Sequence, residues 1–243
     1  MKIIVGGGIS GLWLAAELKA RNIPCCVIEK SALGQGQTLA SQGMIHGGTK
    51  YALDGRLTKA ASEIGAMPAR WKQALKGEGT VDLSRVQLER DDQLLWSVES
   101  IAANLVGFFA SKAMRSRMER IDPQSETAFN HPHFKGHLYR LSEPVLKLDT
   151  LVHAFAEILD GQVFQAEVTQ LLMQDDKIVG VETTAGQING DVILTAGEGA
   201  ERLLSGLPGD YPVMQRRPLA MAVCKLAQPI PKVFGHQLGT SSK

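Results

Sequence analysis

The chain has 243 residues, 44% of them hydrophobic and 21% charged, which is typical of a globular protein and excludes a disordered or collagen-like chain. Its 26 basic and 25 acidic residues give a net charge of +1, so no basic excess exists to neutralise the phosphates of a nucleic acid. Only three cysteines occur, two of them adjacent, which argues against a secreted disulfide framework.

The first thirty residues predict a strand, a helix and a second strand. Residues 2–5 are mostly β-branched, and from Ile9 the apolar residues recur with a helical period until Asn22. A second apolar strand follows over residues 25–28, with Glu29 at its carboxyl end. Two short apolar strands joined by one helix predict a parallel sheet with a right-handed crossover.

A glycine motif, Gly6-x-Gly8-x-x-Gly11, joins the first strand to the helix. Its glycines permit a tight turn, the approach of a pyrophosphate and close packing of helix on strand. Glu29 lies eighteen residues after Gly11. An acid near this position accepts a hydrogen bond from a ribose 2′-hydroxyl and repels a 2′-phosphate. The motif predicts an adenosine dinucleotide other than NADP, and a glycine turn without a ligand is the alternative. The expected cofactor contacts are Gly6, Gly8, Ile9, Ser10, Gly11, Glu29 and Lys30.

Residues 31–51 form a glycine-rich loop, which beside a nucleotide site favours a functional role. Helical periodicity then predicts helices over 57–75, 97–118 and 149–159, with a strand pair, 81–88 and 93–96, between the first two. We expect a loop over 122–144. It holds His131, His133 and His137, for which a solvated loop is favoured over a metal site. Three strands are predicted last, over 162–173, 177–184 and 187–194.

Three stretches, 3–29, 39–51 and 163–204, resemble the FAD-dependent oxidoreductases of the D-amino acid oxidase type. The middle stretch runs Ser41-Gln42-Gly43-Met44-Ile45-His46-Gly47-Gly48-Thr49-Lys50-Tyr51 and looks closest to the glycerol-3-phosphate dehydrogenase branch. The resemblance implies an α/β fold: a Rossmann-like FAD-binding domain with a three-stranded meander, interleaved with an incomplete α+β substrate domain. The expected FAD-binding domain is discontinuous, over 1–80 and 145–205, and the substrate domain covers 81–144 and 206–243.

The resemblance also implies roles for single residues. It places the flavin and its ribityl chain beside six residues: Ser41, Gln42, Gly43, Met44, Ile45 and His46. It places the adenine near Val168 and the diphosphate near Ala196 and Gly197. Lys50 stands where relatives have an arginine that contacts an anionic substrate, and a lysine offers charge without a planar bidentate fork. Tyr51 and Arg56 are further candidate substrate contacts, whereas no general base and no metal ligand is assigned.

The activity implied is transfer of hydride from a small hydroxy or amino substrate to flavin N5. Family members are longer and return with a last glycine-rich segment, so a catalytically incomplete fragment or degenerate flavin-binding chain is the first alternative. An NAD-dependent dehydrogenase is the second. We expect a cytoplasmic protein without signal peptide or transmembrane segment, and contact with a membrane surface stays open. Its partner is a small-molecule substrate, and the electron acceptor is not identified.

Overall fold

The computed structural model describes residues 1–47, 64–97, 118–209, 214 and 221–238. The chain divides into two compact units. The first unit comprises Met1–Gln42, Ala74–Val86 and Leu148–Met221, and the second comprises Gly43–Gln73, Gln87–Lys147 and Ala222–Lys243. The assignment of one domain to the cofactor and one to the substrate stays a prediction.

The described residues include five α-helices and thirteen strands. The helices are α1 (Ile9–Ala20), α2 (Gln37–Ala40), α3 (Met67–Leu75), α4 (Leu148–Ile158) and α5 (Gly199–Leu204). The strands are β1 (Lys2–Val5), β2 (Cys25–Glu29), β3 (Leu88–Arg90), β4 (Gln93–Ser97), β5 (Met118–Ile121), β6 (His137–Leu141), β7 (Val145–Leu146), β8 (Val163–Gln165), β9 (Val168–Gln174), β10 (Lys177–Thr183), β11 (Gly186–Asn189), β12 (Asp191–Leu194) and β13 (Gly235–Leu238).

The first unit is built on a parallel sheet of order β12-β1-β2-β8. Ile3 and Ile4 of β1 are fully buried, as is Leu12 on the face of α1 that packs on the sheet. The predicted strand–helix–strand unit is therefore confirmed. The helix ends where expected, because Asn22 takes the left-handed conformation (φ 55°) that a helix cannot continue through.

Two of the three strands predicted over 162–194 are each divided between two sheets. The run 162–173 is β8, in the parallel sheet, followed by β9, in an antiparallel meander with β10 and β11. The chain changes sheets at Ala166 and Glu167: the first donates its N–H to Glu29 O (3.0 Å), the second to Thr184 Oγ1 (3.1 Å). The run 187–194 is divided at Gly190, where a β-carbon would lie 2.6 Å from Met1 O. The meander itself is confirmed.

The second unit contains a sheet of order β13-β4-β6-β5 and a separate pair, β3 with β7. The predicted strand pair over 81–88 and 93–96 is wrong. In the first segment only the last residue, Leu88, is in a strand, where it begins β3 and pairs with β7. The second segment lies in β4, which pairs with β6 and β13. In the first segment Leu83 donates its N–H to Ala74 O (2.9 Å), so its alternating apolar residues are buried in a turn and not in a sheet.

Three other predictions meet the structure only in part. The loop expected over 122–144 contains β6, which lies in the middle of the sheet. The helix expected over 57–75 is present as α3, and residues 48–63 lie outside the described part. Residues 98–117, the body of the helix predicted over 97–118, also lie outside it, and Met118 begins β5.

Within the described ranges, none of the helices is both long and apolar enough to span a membrane.

Candidate functional site

The strand order of the parallel sheet reverses between β1 and β12. From β1 the chain moves outward to β2 and β8, and it then returns to β12 on the opposite side of β1. In open parallel sheets, ligands bind beyond the carboxyl ends of the strands at such a switch point. Two turns lie there: the glycine loop, residues 6–11, follows Val5, and residues 195–197 follow Leu194.

Hydrogen bonds join these two turns. Thr195 Oγ1 lies 3.0 Å from Val5 O and 2.9 Å from Gly6 O, close enough to donate to either carbonyl. Gly6 has φ +112°, and a β-carbon on it would lie 2.7 Å from the Ala196 Cα. Both the backbone conformation and the neighbouring turn therefore require glycine at position 6. Thr195 lies within the stretch 163–204 that carries the family resemblance, but no contact was predicted for its hydroxyl.

Gly8 differs from its neighbours because none of the residues that the structure describes requires glycine there. Its backbone is extended (φ −79°, ψ 174°), a conformation open to any residue. Among the described residues, a β-carbon would meet only Thr38 Oγ1 within 4 Å, at an ordinary contact distance of 3.5 Å. A glycine that neither conformation nor packing demands is the one expected where backbone must approach a ligand.

The amino end of α1 carries unpaired backbone donors. Gly7 N–H donates to Glu29 Oε2 (2.7 Å) and Ile9 N–H to Thr38 Oγ1 (3.0 Å). Within the described residues, the N–H groups of Gly8, Ser10 and Gly11 donate to no protein acceptor. With the positive end of the helix dipole, they form a cradle that suits a phosphate. The site thus fits the diphosphate of a dinucleotide such as FAD.

Glu29 is held at the carboxyl end of β2 beside the glycine loop. Besides the bond from Gly7, its Oε1 accepts from Ser31 N (3.0 Å) and from Ser31 Oγ (3.3 Å). The side chain is half-buried and accepts three hydrogen bonds. Oε2 accepts only one of them, so it keeps a lone pair for a further hydroxyl. This geometry suits the predicted contact with a ribose. Lys30, the next residue, is exposed, and its contact with the cofactor stays a prediction.

Thr38, in α2, also holds the glycine loop, and the sequence analysis did not single it out. It is buried, and its hydroxyl accepts from the first N–H of α1. A second bond, from Gly34 N to Gly7 O (2.8 Å), ties the same loop to the glycine loop. Ser41 Oγ donates to Thr38 O (2.9 Å), which places Ser41 and its neighbour Gln42 at the end of this loop. A lone threonine among small polar residues offered no periodic signal.

The other predicted cofactor contacts of the first unit are Val168, at the start of β9, and Ala196 and Gly197, which follow β12. Val168 begins β9 and is buried, and its carbonyl accepts from Arg202 Nη2 (3.1 Å). Gly197 has φ +54°, and a β-carbon there would meet no atom of the described part of the chain within 4 Å. Ala196 lies against Gly6, as described above. Contacts of these residues with a cofactor stay predictions.

The remaining predicted flavin contacts belong to the second unit and run antiparallel to residues 144–146. Leu146 N donates to Gly43 O (2.9 Å), Met44 bridges to Val145, and Ile45 N donates to Pro144 O (3.0 Å). His46 follows, half-exposed, with its ring centroid 5.1 Å from that of His236 in β13. These contacts pair the backbone of residues 43–45 with residues 144–146.

A buried carboxylate lies behind this segment. Glu143 is 3% exposed, its Oε1 accepts from Gly47 N (2.7 Å) and its Oε2 accepts from Gln93 Nε2 (2.6 Å). Oε2 also lies 3.9 Å from Nδ1 of His46. The sequence prediction missed Glu143. A charged residue within the apolar run Leu141–Leu146 is the signal that would have found it.

The candidate substrate residues Lys50, Tyr51 and Arg56 lie outside the described residues. Of the histidines considered for a metal, His131 and His133 have their rings 5.1 Å apart, and Nδ1 of His137 lies 2.8 Å from Arg120 Nη2. Among the residues the structure describes, no group of three or more His, Cys, Asp or Glu could hold a metal ion.

Comparison with known proteins bears on this site. A family model described as DAO, FAD dependent oxidoreductase, matches residues 2–239. The chain is 40% identical over 243 residues to the probable FAD-dependent oxidoreductase PA4991 of Pseudomonas aeruginosa, covering 99% of this chain and 62% of that protein. A shorter match, 35% identical over 52 residues, is to one subunit of the anaerobic glycerol-3-phosphate dehydrogenase of Haemophilus influenzae. It covers 21% of this chain and 9% of that one.

Solved structures give the same fold. The crystal structure of PA4991 superposes with a TM-score of 0.71 at 32% identity, covering 89% of this chain and 52% of that one. Glycine oxidase from Geobacillus kaustophilus superposes with a TM-score of 0.63 at 18% identity, covering 84% and 57%. The expected Rossmann-like α/β fold is confirmed. The chain spans a little over half the length of these relatives.

Proposed function

Because this chain belongs to the family of FAD-dependent oxidoreductases, we propose that it binds FAD and oxidises a small hydroxy or amino substrate by hydride transfer. One observation carries the cofactor part of the proposal. Gly8 is required by neither its conformation nor its described neighbours, and it contributes one of three backbone N–H groups that lack a protein acceptor in the described residues. A phosphate explains both.

The residues of the glycine loop hold the cofactor in this proposal. The N–H groups of Gly8, Ser10 and Gly11 bind the diphosphate, and Glu29 accepts a hydrogen bond from the adenosine ribose. Ala196 and Gly197 cover the diphosphate, Val168 lies by the adenine, and the segment 41–46 passes the flavin and ribityl chain. FAD, when bound, supplies the hydride acceptor, flavin N5. The chain's own residues orient substrate and cofactor and exclude water.

The substrate of this proposal is a small anion. Lys50 attracts it as a point charge, and Tyr51 and Arg56 are further contacts. Glycine and glycerol 3-phosphate, for which two relatives are named, each carry an amine or a hydroxyl together with an anionic group. That combination supports an anionic hydroxy or amino substrate. Between a 2-hydroxy acid, an amino acid and a polyol phosphate the proposal makes no choice.

The visible absorption spectrum of the purified chain tests the cofactor, together with mass identification of what denaturation releases. We expect a flavin spectrum and released FAD, or the same spectrum after reconstitution with added FAD. A chain that stays colourless and does not bind added FAD would overturn the proposal. Binding of NADH in its place would favour the nicotinamide-dependent alternative.

A flavin-binding chain without turnover is the second candidate, since this chain spans 62% of the relative that it matches over its whole length. Anaerobic addition of hydroxy acids, amino acids and glycerol 3-phosphate separates the two. Bleaching of the flavin absorbance by one class supports the oxidoreductase and identifies its substrate. If all three substrate classes leave the flavin oxidised, yet dithionite reduces it, the second candidate is supported.

A further inference from the structure

None of the proposed cofactor and substrate contacts explains the buried carboxylate of Glu143. Burial of a charged group is unfavourable unless hydrogen bonds offset the lost hydration. Gly47 N–H and the Gln93 side-chain amide each donate to one of its oxygens, at 2.7 and 2.6 Å. These donors are distant in the chain, 96 and 50 residues away, so the fold has gathered them around the carboxylate.

The same carboxylate faces one particular nitrogen of His46. Oε2 lies 3.9 Å from Nδ1, while 54% of the His46 side chain is exposed. That separation exceeds a hydrogen bond but lies within the range of an ion pair, and such contacts shorten when a site closes on its ligands. The backbone of the next residue, Gly47, is bonded to the other oxygen, so the loop and the carboxylate are fixed relative to each other.

A carboxylate beside an imidazole decides which ring nitrogen carries the proton. Hydrogen on the nitrogen nearest the negative charge is stabilised, and the other nitrogen keeps its lone pair. For His46 this reasoning places hydrogen on Nδ1 and the lone pair on Nε2. Were Nε2 protonated, the Nδ1 lone pair would face the negative Oε2 and be repelled by it.

We propose that Glu143 is a positioning residue for His46, holding hydrogen on Nδ1 so that Nε2 can accept the proton that a hydroxyl or amine substrate loses. The role of Nε2 as proton acceptor rests on the proposed function. Oxidation of such a substrate breaks a C–H bond, whose electron pair leaves with the hydride to FAD, and an O–H or N–H bond. The proton from the second bond passes to Nε2, and the charged imidazolium is then stabilised by the carboxylate.

The tautomer of His46 can be read directly from long-range proton–nitrogen spectra of the chain labelled with ¹⁵N-histidine. At a pH where the imidazole is neutral, we expect Nδ1 to resonate as the protonated nitrogen and Nε2 as the unprotonated one. Assignment comes from the signal lost in His46→Asn. An Nε2-protonated His46 in the wild-type chain would overturn the proposal without any variant of Glu143.

Glu143→Gln sharpens the test because it reverses the expected polarity. The introduced amide keeps its oxygen on Gly47 N–H and turns its NH₂ toward Gln93 and His46, and Gln93 can rotate its own amide to present oxygen. An NH₂ facing Nδ1 favours the tautomer with hydrogen on Nε2. We therefore expect the two nitrogen resonances to exchange character, and an unchanged tautomer would contradict the role of Glu143.

The chain offers a matched control. His153 and Glu157 form an exposed pair, with Nε2 to Oε1 at 3.4 Å. Glu157→Gln is expected to leave the His46 resonances where they are, which shows that removal of a distant carboxylate does not mimic the effect. A shift of His46 in this variant equal to that in Glu143→Gln would overturn the specific pairing.

Turnover separates this inference from the proposed function. In a chain that oxidises substrate, Glu143→Gln is expected to lower kcat by about 100-fold or more while KM changes little. A reversed tautomer with unchanged kcat would overturn the role of Nε2 as proton acceptor. A chain that binds no flavin, yet shows the expected tautomers, would count against the proposed function and leave the pairing of Glu143 with His46 standing.

Discussion

The carbonyl oxygen of Gly6 lies where a side chain on Gly11 would have to begin, because a β-carbon at residue 11 would be 2.1 Å from that oxygen. The same β-carbon would lie 2.6 Å from Thr195 Oγ1. The third glycine of the motif is thus required by the packing of α1 against two turns. The second glycine, Gly8, is not, and this contrast separates folding from ligand binding within one motif.

Alanine at position 8 is expected to affect mainly FAD binding, whereas alanine at position 11 is expected to affect mainly stability. Gly8→Ala should change the free energy of unfolding of the FAD-free chain by less than about 1 kcal/mol, the scale of a helix N-cap substitution. It should raise the Kd for FAD about tenfold or more. Gly11→Ala should lower the free energy of unfolding by about 1–3 kcal/mol, since the new β-carbon overlaps backbone. Urea unfolding and fluorescence titration with FAD measure the two quantities.

Glu29→Ala is expected to weaken FAD binding about 10- to 100-fold. A hydrogen bond to a charged group contributes about 1.5–3 kcal/mol, and the variant removes the acceptor that we assign to the ribose. Titration of the flavin absorbance measures the effect. Glu17→Ala is the control, because Glu17 pairs with Arg21 on the outer part of α1. Equal affinities of wild type and Glu29→Ala would show that Glu29 does not contact the ribose.

Acid is expected to weaken the second unit through Glu126. Its side chain is 15% exposed, and Arg90 donates to Oε1 at 2.7 Å and to Oε2 at 3.3 Å. Hydrogen bonds from Arg90 are the main cause that holds the pKa of Glu126 below its ordinary value. Partial burial acts in the opposite direction, and Arg140 adds to the lowering. The stabilisation is therefore complete above the unfolded-state pKa of about 4.3 and is lost as the pH falls through the lower folded-state pKa.

Urea unfolding of wild type and Glu126→Gln across pH 2–7 checks this expectation. At pH 7 the variant should be less stable by about 1.5–3 kcal/mol, the scale of hydrogen bonds to a charged group. The difference should shrink as the pH falls below about 4. Glu119→Gln is the control, since Glu119 is exposed and 3.8 Å from Arg140, and surface pairs contribute little. A wild-type advantage that persists undiminished at the lowest pH would contradict the pairing.

The three cysteines are expected to differ in reactivity. Burial raises the pKa of the Cys25 and Cys26 thiols, which lowers their thiolate fraction at neutral pH, whereas Cys224 is exposed. Titration of the native chain with a chromogenic disulfide reagent should therefore show one thiol that reacts fast. Unfolding in guanidinium should expose two more to the reagent. Cys224→Ser should abolish the fast phase. A fast thiol that remains in that variant would contradict the burial of the adjacent pair.

Lys50→Ala is expected to raise the KM for an anionic substrate about tenfold while leaving flavin absorbance unchanged. The reason is loss of a cationic partner for the substrate's anionic group, and Lys50→Arg should retain most of the affinity. Steady-state kinetics with an anionic substrate and a neutral analogue measure the effect. An equal rise of KM for the neutral analogue would remove the proposed charge attraction.

Local pattern in the sequence determined the strand–helix–strand unit, the glycine motif and the position of Glu29. Helical period, strand composition and the spacing between Gly11 and Glu29 are properties of neighbouring residues, and the structure keeps each of them. The middle segment and the final turn were identified through resemblance to a family. The family match over residues 2–239 confirms that family, and the contacts of these segments with a cofactor stay predictions.

Tertiary structure alone decided which sheet each strand joins and which side chains meet. The apolar run 162–173 has no internal pattern that divides it, yet its two halves pair with β2 and β10. Glu143 meets Gly47 and Gln93, and Thr195 meets Gly6, across 50 to 189 residues of chain. A hydrogen-bond partner at such a distance depends on how the whole chain packs. Periods of two or 3.6 residues describe only which face of one element is buried.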